Sequence, residues 1–412
     1  MRTSRQVKQL LFRLLALTIF MSTFFPNQTL AIEFENTLEQ RPQIAILLPL
    51  SGPFTDLGQT LQKGFELGFT HFEESLPNTR NFEIRYFDSQ RNPETTSTLI
   101  ALFSSEGETV FAAGTPLNTT AWTASKSAEE NGVPFLIVGA DQDNLINEKS
   151  VFTFRINQTR SAQAVMLSEF IVSQEPAIQS MGIIYGEGTC ATRQARRLRK
   201  LCAKQNIDLA IWETYRSDER NFYDLLTLIK ERQPQLLVLA TNPAAGDKLW
   251  QQGQRLELVP PVTIATPTSC GLETYKPTSY SRLEAQMLYT TPWFIPANQE
   301  NYPPLENYLI AQGFAATEII LASLNKSLDL TSGEIVKALE KTNTTTAYGP
   351  VFFSGSGQGH QNPLPWYLSS YDKEGINNVV FPLPPGQEKT TPKANPASAK
   401  SSDNSQTDKP TQ

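Results

Sequence analysis

Residues 44–69 read IAILLPLSGPFTDLGQTLQKGFELGF, and the fold follows from the change of period inside that stretch. Ile44–Leu50 is apolar on both faces, which suits a central strand of a parallel sheet. Ser51-Gly52-Pro53 interrupts it. Leu61, Phe65, Phe69 and Phe72 then recur at helical spacing, giving a helix with one apolar face.

The exchange recurs along the chain. Strand patterns at Phe82–Phe87, Val110–Ala113 and Pro134–Val138 alternate with helical ones opening at Pro93 and spanning Asn118–Glu130. A second set follows. Met181–Tyr185, Leu209–Tyr215, Leu236–Ala240 and Val262–Ala265 read as strands, with helices over Ala191–Lys204, Phe222–Arg232 and Lys248–Leu256. Strands alternating with helices of this length predict parallel sheets covered on both faces, here two α/β lobes with a hinge. Later, Leu305–Ser323 and Ser332–Thr342 are helical patterns, and Val351–Phe353 with Trp366–Ser370 predict an antiparallel hairpin.

The two ends stand apart from this body. Arg2, Arg5, Lys8 and Arg13 precede a twelve-residue apolar run, Leu14–Phe25, and Thr29-Leu30-Ala31 offers small residues for cleavage. Residues 1–31 therefore read as a signal peptide, too short in its apolar part to span a bilayer comfortably, and export to the periplasm is expected. Residues 386–412 hold no aromatic or large aliphatic side chain, so a disordered tail is expected.

Composition excludes several function classes. Of 412 residues only two are His and three Cys, too few for a metal cluster. The net charge is −6 before the leader's four basic residues are removed. An acidic chain of this kind lacks the basic face that nucleic-acid binding requires. His71 sits between Phe69 and Phe72 as a packing residue, and His360 reads as a solvated turn residue, so neither suggests catalysis and no enzyme activity is expected. No cofactor is implied. The loop Gly355-Ser356-Gly357-Gln358-Gly359 is glycine-rich but opens no helix, which removes the context of a phosphate cradle. Asp141 and Asp143 stand two apart on a loop, a pattern more often capping than acid–base. Cys202 lies on an apolar helix stripe and reads as a buried thiol. About 18 Å of helix separates it from Cys190, too far for a disulfide. For Cys190 and Cys270 a bridge and free thiols both remain open.

In open parallel sheets ligands lie beyond the carboxyl ends of the strands. That rule nominates the loops at Ser51–Gly58, Gly114–Thr120, Gly139–Asn144, Gly186–Thr192, Thr241–Ala245 and Thr266–Gly271, all rich in Gly, Ser, Thr or Asn.

The opening stretch, with RYFDSQRNPET (85–95) and GTPLNTTAWTASKSAEENGVPFLIVGADQDNLINEKSVFTFRI (114–156), resembles periplasmic leucine/isoleucine/valine-type solute-binding proteins of ABC transporters. The likeness extends more weakly through MGIIYGEG and YGPVFFSGSGQG. It implies a type I periplasmic-binding fold of two doubly wound, Rossmann-like lobes. The first would comprise 32–155 and 292–349, the second 156–291 and 350–385, with crossings near Phe154–Asn157, Thr291–Ile295 and Gly349–Val351. It also implies a monomer that captures a small polar ligand and delivers it to a membrane permease. Carried over by position, the family's loop aromatic falls on Leu57. Its carboxylate-binding serine falls on Asn118, beside Thr119, and its next carboxylate-binding threonine on Asp141, beside Gly139 and Ala140. Its second-lobe aromatic falls near Cys190, and its acidic ammonium partner is lost around Thr266–Thr268. Ser51, Tyr185 and Asn242 complete the candidate contacts. An unpaired, buried Asp141 would repel a carboxylate, so an amine, amide or cationic group is expected beside it. The LLPLSG opening also resembles activators of cell-wall synthases, which use this body as a protein-interaction module.

Overall fold

A computed structural model describes residues 41–75, 82–216, 218–241, 243–256, 262–265, 287–294, 302–303, 305–353, 359–371 and 377–382. The leader, the tail, Asn242, Cys270 and the Cys190 side chain lie outside the described residues.

Five strands form the first sheet: β1 (Gln43–Leu48), β2 (Glu83–Asp88), β3 (Thr109–Gly114), β4 (Phe135–Ile137) and β5 (Thr153–Arg155). Their order is β2-β1-β3-β4-β5 and every pairing is parallel. All six residues of β1 are buried, as expected of an apolar strand between two neighbours with helices on both faces. Those helices include α1 (Thr55–Ser75), α2 (Pro93–Glu106) and α3 (Asn118–Asn131). Pro93 does open α2: Asn92 caps it by accepting from the Glu94 and Thr95 amides, and Gly107 ends it at φ 70°.

The second sheet contains β6 (Ser180–Gly186), β7 (Asp208–Tyr215), β8 (Leu236–Ala240), β9 (Val262–Ala265) and β10 (Met287–Thr291), all parallel. Two antiparallel strands, β13 (Tyr367–Tyr371) and β14 (Asn377–Phe381), complete its edge. Helices α4 (Arg160–Val172), α5 (Thr189–Gln205), α6 (Tyr223–Arg232) and α7 (Pro243–Arg255) belong to this half. The architecture is the pair of parallel-sheet lobes that the alternation predicts.

The late helices α8 (Tyr308–Lys326) and α9 (Ser332–Glu340) return to the first lobe. Phe314, Ile320 and Leu324 of α8 join Phe65 and Phe69 of α1 in one buried cluster. The closeness of α1 and α8 explains two glycines. A Cβ on Gly64 would lie 2.5 Å from the Ile310 carbonyl, and one on Gly313 2.7 Å from the Leu61 carbonyl.

The expected hairpin between Val351–Phe353 and Trp366–Ser370 does not form. β12 (Gly349–Phe352) pairs instead with β11 (Asn343–Thr346), and β13 pairs with β10 and β14. The two segments belong to different lobes: Val351, Phe353 and Leu364 pack in the first core, Trp366 and Leu368 in the second. The last passage between lobes therefore falls between Leu364 and Trp366, later than Gly349–Val351.

Candidate functional site

The carboxyl ends of β1, β3 and β4 carry most of the candidate contacts of the first lobe. Ser51 is exposed, at the foot of the turn Gly52–Phe54, and is tied to Asp88. Burial raises the Asp88 pKa, but hydrogen bonds from the Ser51 hydroxyl and from the Gln90, Leu50 and Ser51 amides outweigh it and hold that carboxyl below its usual range. Leu57 is buried in the first turn of α1 and packs inside the lobe. Thr119 is exposed on α3.

Asn118, the first residue of α3, knits two loops together. Its Oδ1 accepts from the amides of Asp141 (3.0 Å) and Gln142 (2.9 Å), and its Nδ2 donates to Asp141 Oδ1 at 3.0 Å. Gly139 and Ala140 are fixed likewise. The Gly139 amide donates to Asn157 Oδ1 (2.9 Å), and Asn157 Nδ2 donates to the Ala140 carbonyl (2.9 Å).

Asp141 has a partner that sequence reasoning missed. Arg160, at the start of α4, donates from Nη2 to Asp141 Oδ1 at 2.5 Å and from Nε to Oδ2 at 3.2 Å. The pair is nearly dry, with side-chain exposures of 13% and 8%. The charge of Asp141 is thus countered within the chain, which removes the ground for expecting a cationic ligand group there. Asp143 follows the same pattern: the Ser161 amide donates to it at 2.8 Å and Arg197 Nη2 of α5 at 3.0 Å. Burial alone would raise its pKa, but Ser161 and Arg197 hold it below its usual range. Acids of the first lobe are thereby matched to arginines of the second.

Tyr185, at the end of β6, is half-buried with its ring 4.9 Å from that of Trp212. Asn242 and the Cys190 side chain lie outside the described residues, and so does Cys270. Cys202 is a free, buried thiol, and burial pushes its pKa up to about 11.

Behind these loops, one side chain joins the three passages between lobes. Gln158 Nε2 donates to the carbonyls of Pro292 (2.5 Å) and Pro365 (2.9 Å), and its Oε1 accepts from the Tyr348 hydroxyl at 2.6 Å. Gln312 Nε2 donates in turn to the Tyr348 hydroxyl at 2.7 Å. No motif announces this knot, because its members lie far apart in the chain.

Both histidines pack against aromatic rings. His71 packs against Phe72 and Phe314 with centroids 4.9 and 5.4 Å away. His360 departs from the expected solvated turn: it is buried and stacked 3.8 Å from Phe154, with Nδ1 3.2 Å from the Thr153 carbonyl. Among the described residues, no cluster of His, Cys, Asp and Glu is placed to hold a metal ion. No helix of theirs is long and apolar enough to cross a membrane.

A family model described as "Periplasmic binding protein" matches residues 42–375. The chain belongs to that family. No curated protein matches it. Among solved structures, a putative branched-chain amino acid ABC transporter protein from Rhodospirillum rubrum is similar, with a TM-score of 0.66 and 17% identity over 82% of this chain and 100% of that one. The branched-chain amino acid transporter substrate-binding protein LivJ from Streptococcus pneumoniae, in complex with isoleucine, gives 0.64 and 15% over 82% and 99%. A solute-binding protein from R. palustris in complex with 4-hydroxybenzoate gives 0.63 and 16% over 82% and 94%. At these identities the likeness speaks for the fold, and it agrees with the two parallel-sheet lobes of this periplasmic binding protein.

Proposed function

We propose that this periplasmic binding protein captures a small polar molecule, an amino acid, an amide or a relative of one, between its lobes and delivers it to the permease of an ABC transporter. The leader at 1–31 directs it to the periplasm, and it works as a monomer without enzyme activity. The observation that carries the reading is the convergence of the β1, β3 and β4 ends, bearing Ser51, Asn118, Thr119, Gly139 and Asp141, on a second lobe that reaches them through Arg160 and Arg197. Ligand affinity comes from hydrogen bonds made away from bulk water, and closure of the lobes on the ligand shifts a two-state equilibrium. Tyr185, Cys190 and Asn242 contribute from the second lobe. The solved relatives with isoleucine and with 4-hydroxybenzoate support a ligand of this size.

A second reading, a protein-interaction module on the same fold, is favoured by one observation: these groups already have partners within the chain, Asp141 in Asn118 and Arg160, and Gly139 and Ala140 in Asn157. A thermal-shift screen of amino acids, amides and small carboxylates separates the two. A dose-dependent rise in melting temperature with one compound supports capture, and a flat response across the set supports the module.

A further inference from the structure

Around the first and third passages between lobes, three arginines face two aspartates. Arg160 takes Asp141 and Arg197 takes Asp143. The third, Arg155 at the end of β5, is attracted to both acids but has no carboxylate within ion-pair distance among the described residues. It is only 1% exposed. Its Nε donates to Gln361 Oε1 and its Nη1 to the Gln142 carbonyl at 2.6 Å, while Nη2 has no hydrogen-bond partner among the described residues. A guanidinium carries five N–H donors, and a buried cation without a counter-charge is costly. Burial lowers its pKa to about 10, which still leaves it charged at neutral pH.

Buried as it is, Arg155 forms part of the wall of a cavity of about 560 Å³ together with Asp143, Lys149, Thr159, Ser161 and Gln361. Glu148 stands on the exposed rim. Asp143 lies in the nominated loop Gly139–Asn144, so the cavity adjoins the cleft, but none of its lining residues is among the candidate contacts there. Thr159 and Ser161 add hydroxyls at the start of α4, where the helix end favours negative charge.

We propose that this cavity is a second binding site, one that takes a small carboxylate whose oxygens meet the open edge of the Arg155 guanidinium and whose far end lies toward Lys149. The bound anion supplies the counter-charge that the two aspartates leave missing. Because Arg155 and Gln361 belong to two different passages between the lobes, with Arg155 also receiving the Asn362 amide and donating its own to the His360 carbonyl, occupancy stiffens the hinge.

Calorimetric titration of the full chain with sodium acetate and with sodium succinate, at ionic strength fixed by sodium chloride, tests this. Saturable binding of either, with a dissociation constant of about 1 mM or tighter, is expected. Arg155→Lys, which keeps the charge and loses the fork, is expected to weaken binding about tenfold. Lys149→Gln, an exposed change that leaves folding intact, is expected to weaken it roughly threefold. Heats equal to the sodium chloride control for both salts overturn the proposal, and so does an affinity that neither variant changes.

Discussion

Asp141 sits in a nearly dry place because Arg160 and Asn118 meet it there. Removing one partner of a buried pair leaves the other uncompensated, so Arg160→Ala is expected to destabilise the fold by about 3 kcal/mol. Urea denaturation checks this, and a loss below about 0.5 kcal/mol, typical of an exposed pair, would contradict it. Half of the arrangement was legible in the sequence. Asp141 stands out in a loop that otherwise offers Gly, Ala and Asn, but Arg160 lies nineteen residues on and opens a helix of the other lobe. Only the fold brings them together. Glu318 is a second residue whose surroundings are not readable from its neighbours. Burial raises its pKa from 4.5 to about 7, and its Oε2 is buried without a hydrogen-bond partner. Between those two values the folded chain holds a proton that the unfolded chain has released, so stability falls as pH rises through that window. Stability measured at both ends of the window is expected to fall less in Glu318→Gln than in the native chain; equal falls would contradict the assignment.

At the scale of elements, the 3.6 and continuous-apolar patterns identified most helices and central strands, because each element there buries a face that its own side chains define. β5, β10, β11 and β14 escaped for the opposite reason. They are short, three to five residues each, and partly polar, as in NTTT of β11, so their pairing is decided by the sheet they join. The misread hairpin has the same cause: β12 and β13 each had the pattern of a strand, and pattern alone does not name a partner. The contact of α1 with α8 makes a sharper prediction. Alanine is the better helix former, yet Gly64→Ala drives a methyl group against the Ile310 backbone. The substitution is expected to destabilise the protein by about 2 kcal/mol, as overpacking does. A gain in melting temperature would show that the helices are not held this closely.

For the whole molecule, what matters is how three passages hold two lobes. Gln158 bonds to carbonyls of the other two passages and, through Tyr348, to Gln312 of α8. Gln158→Ala leaves two carbonyls and a tyrosine hydroxyl short of partners, and is expected to cost about 2 kcal/mol. The same variant is expected to exchange hinge amides near Asn157 and Asn362 faster with deuterium. Unchanged exchange there would mean that the passages are held by other contacts. The salt link of Arg197 to Asp143 is partly exposed and adds little stability, but it ties the first lobe to the second. Capture between those lobes is the central claim, and it is most directly tested by titrating the full chain with each amino acid and its amide in a calorimeter. One compound is expected to bind one-to-one with a dissociation constant of about 10 μM or tighter. Absence of saturable heat from every compound would contradict capture and leave the fold serving a protein partner.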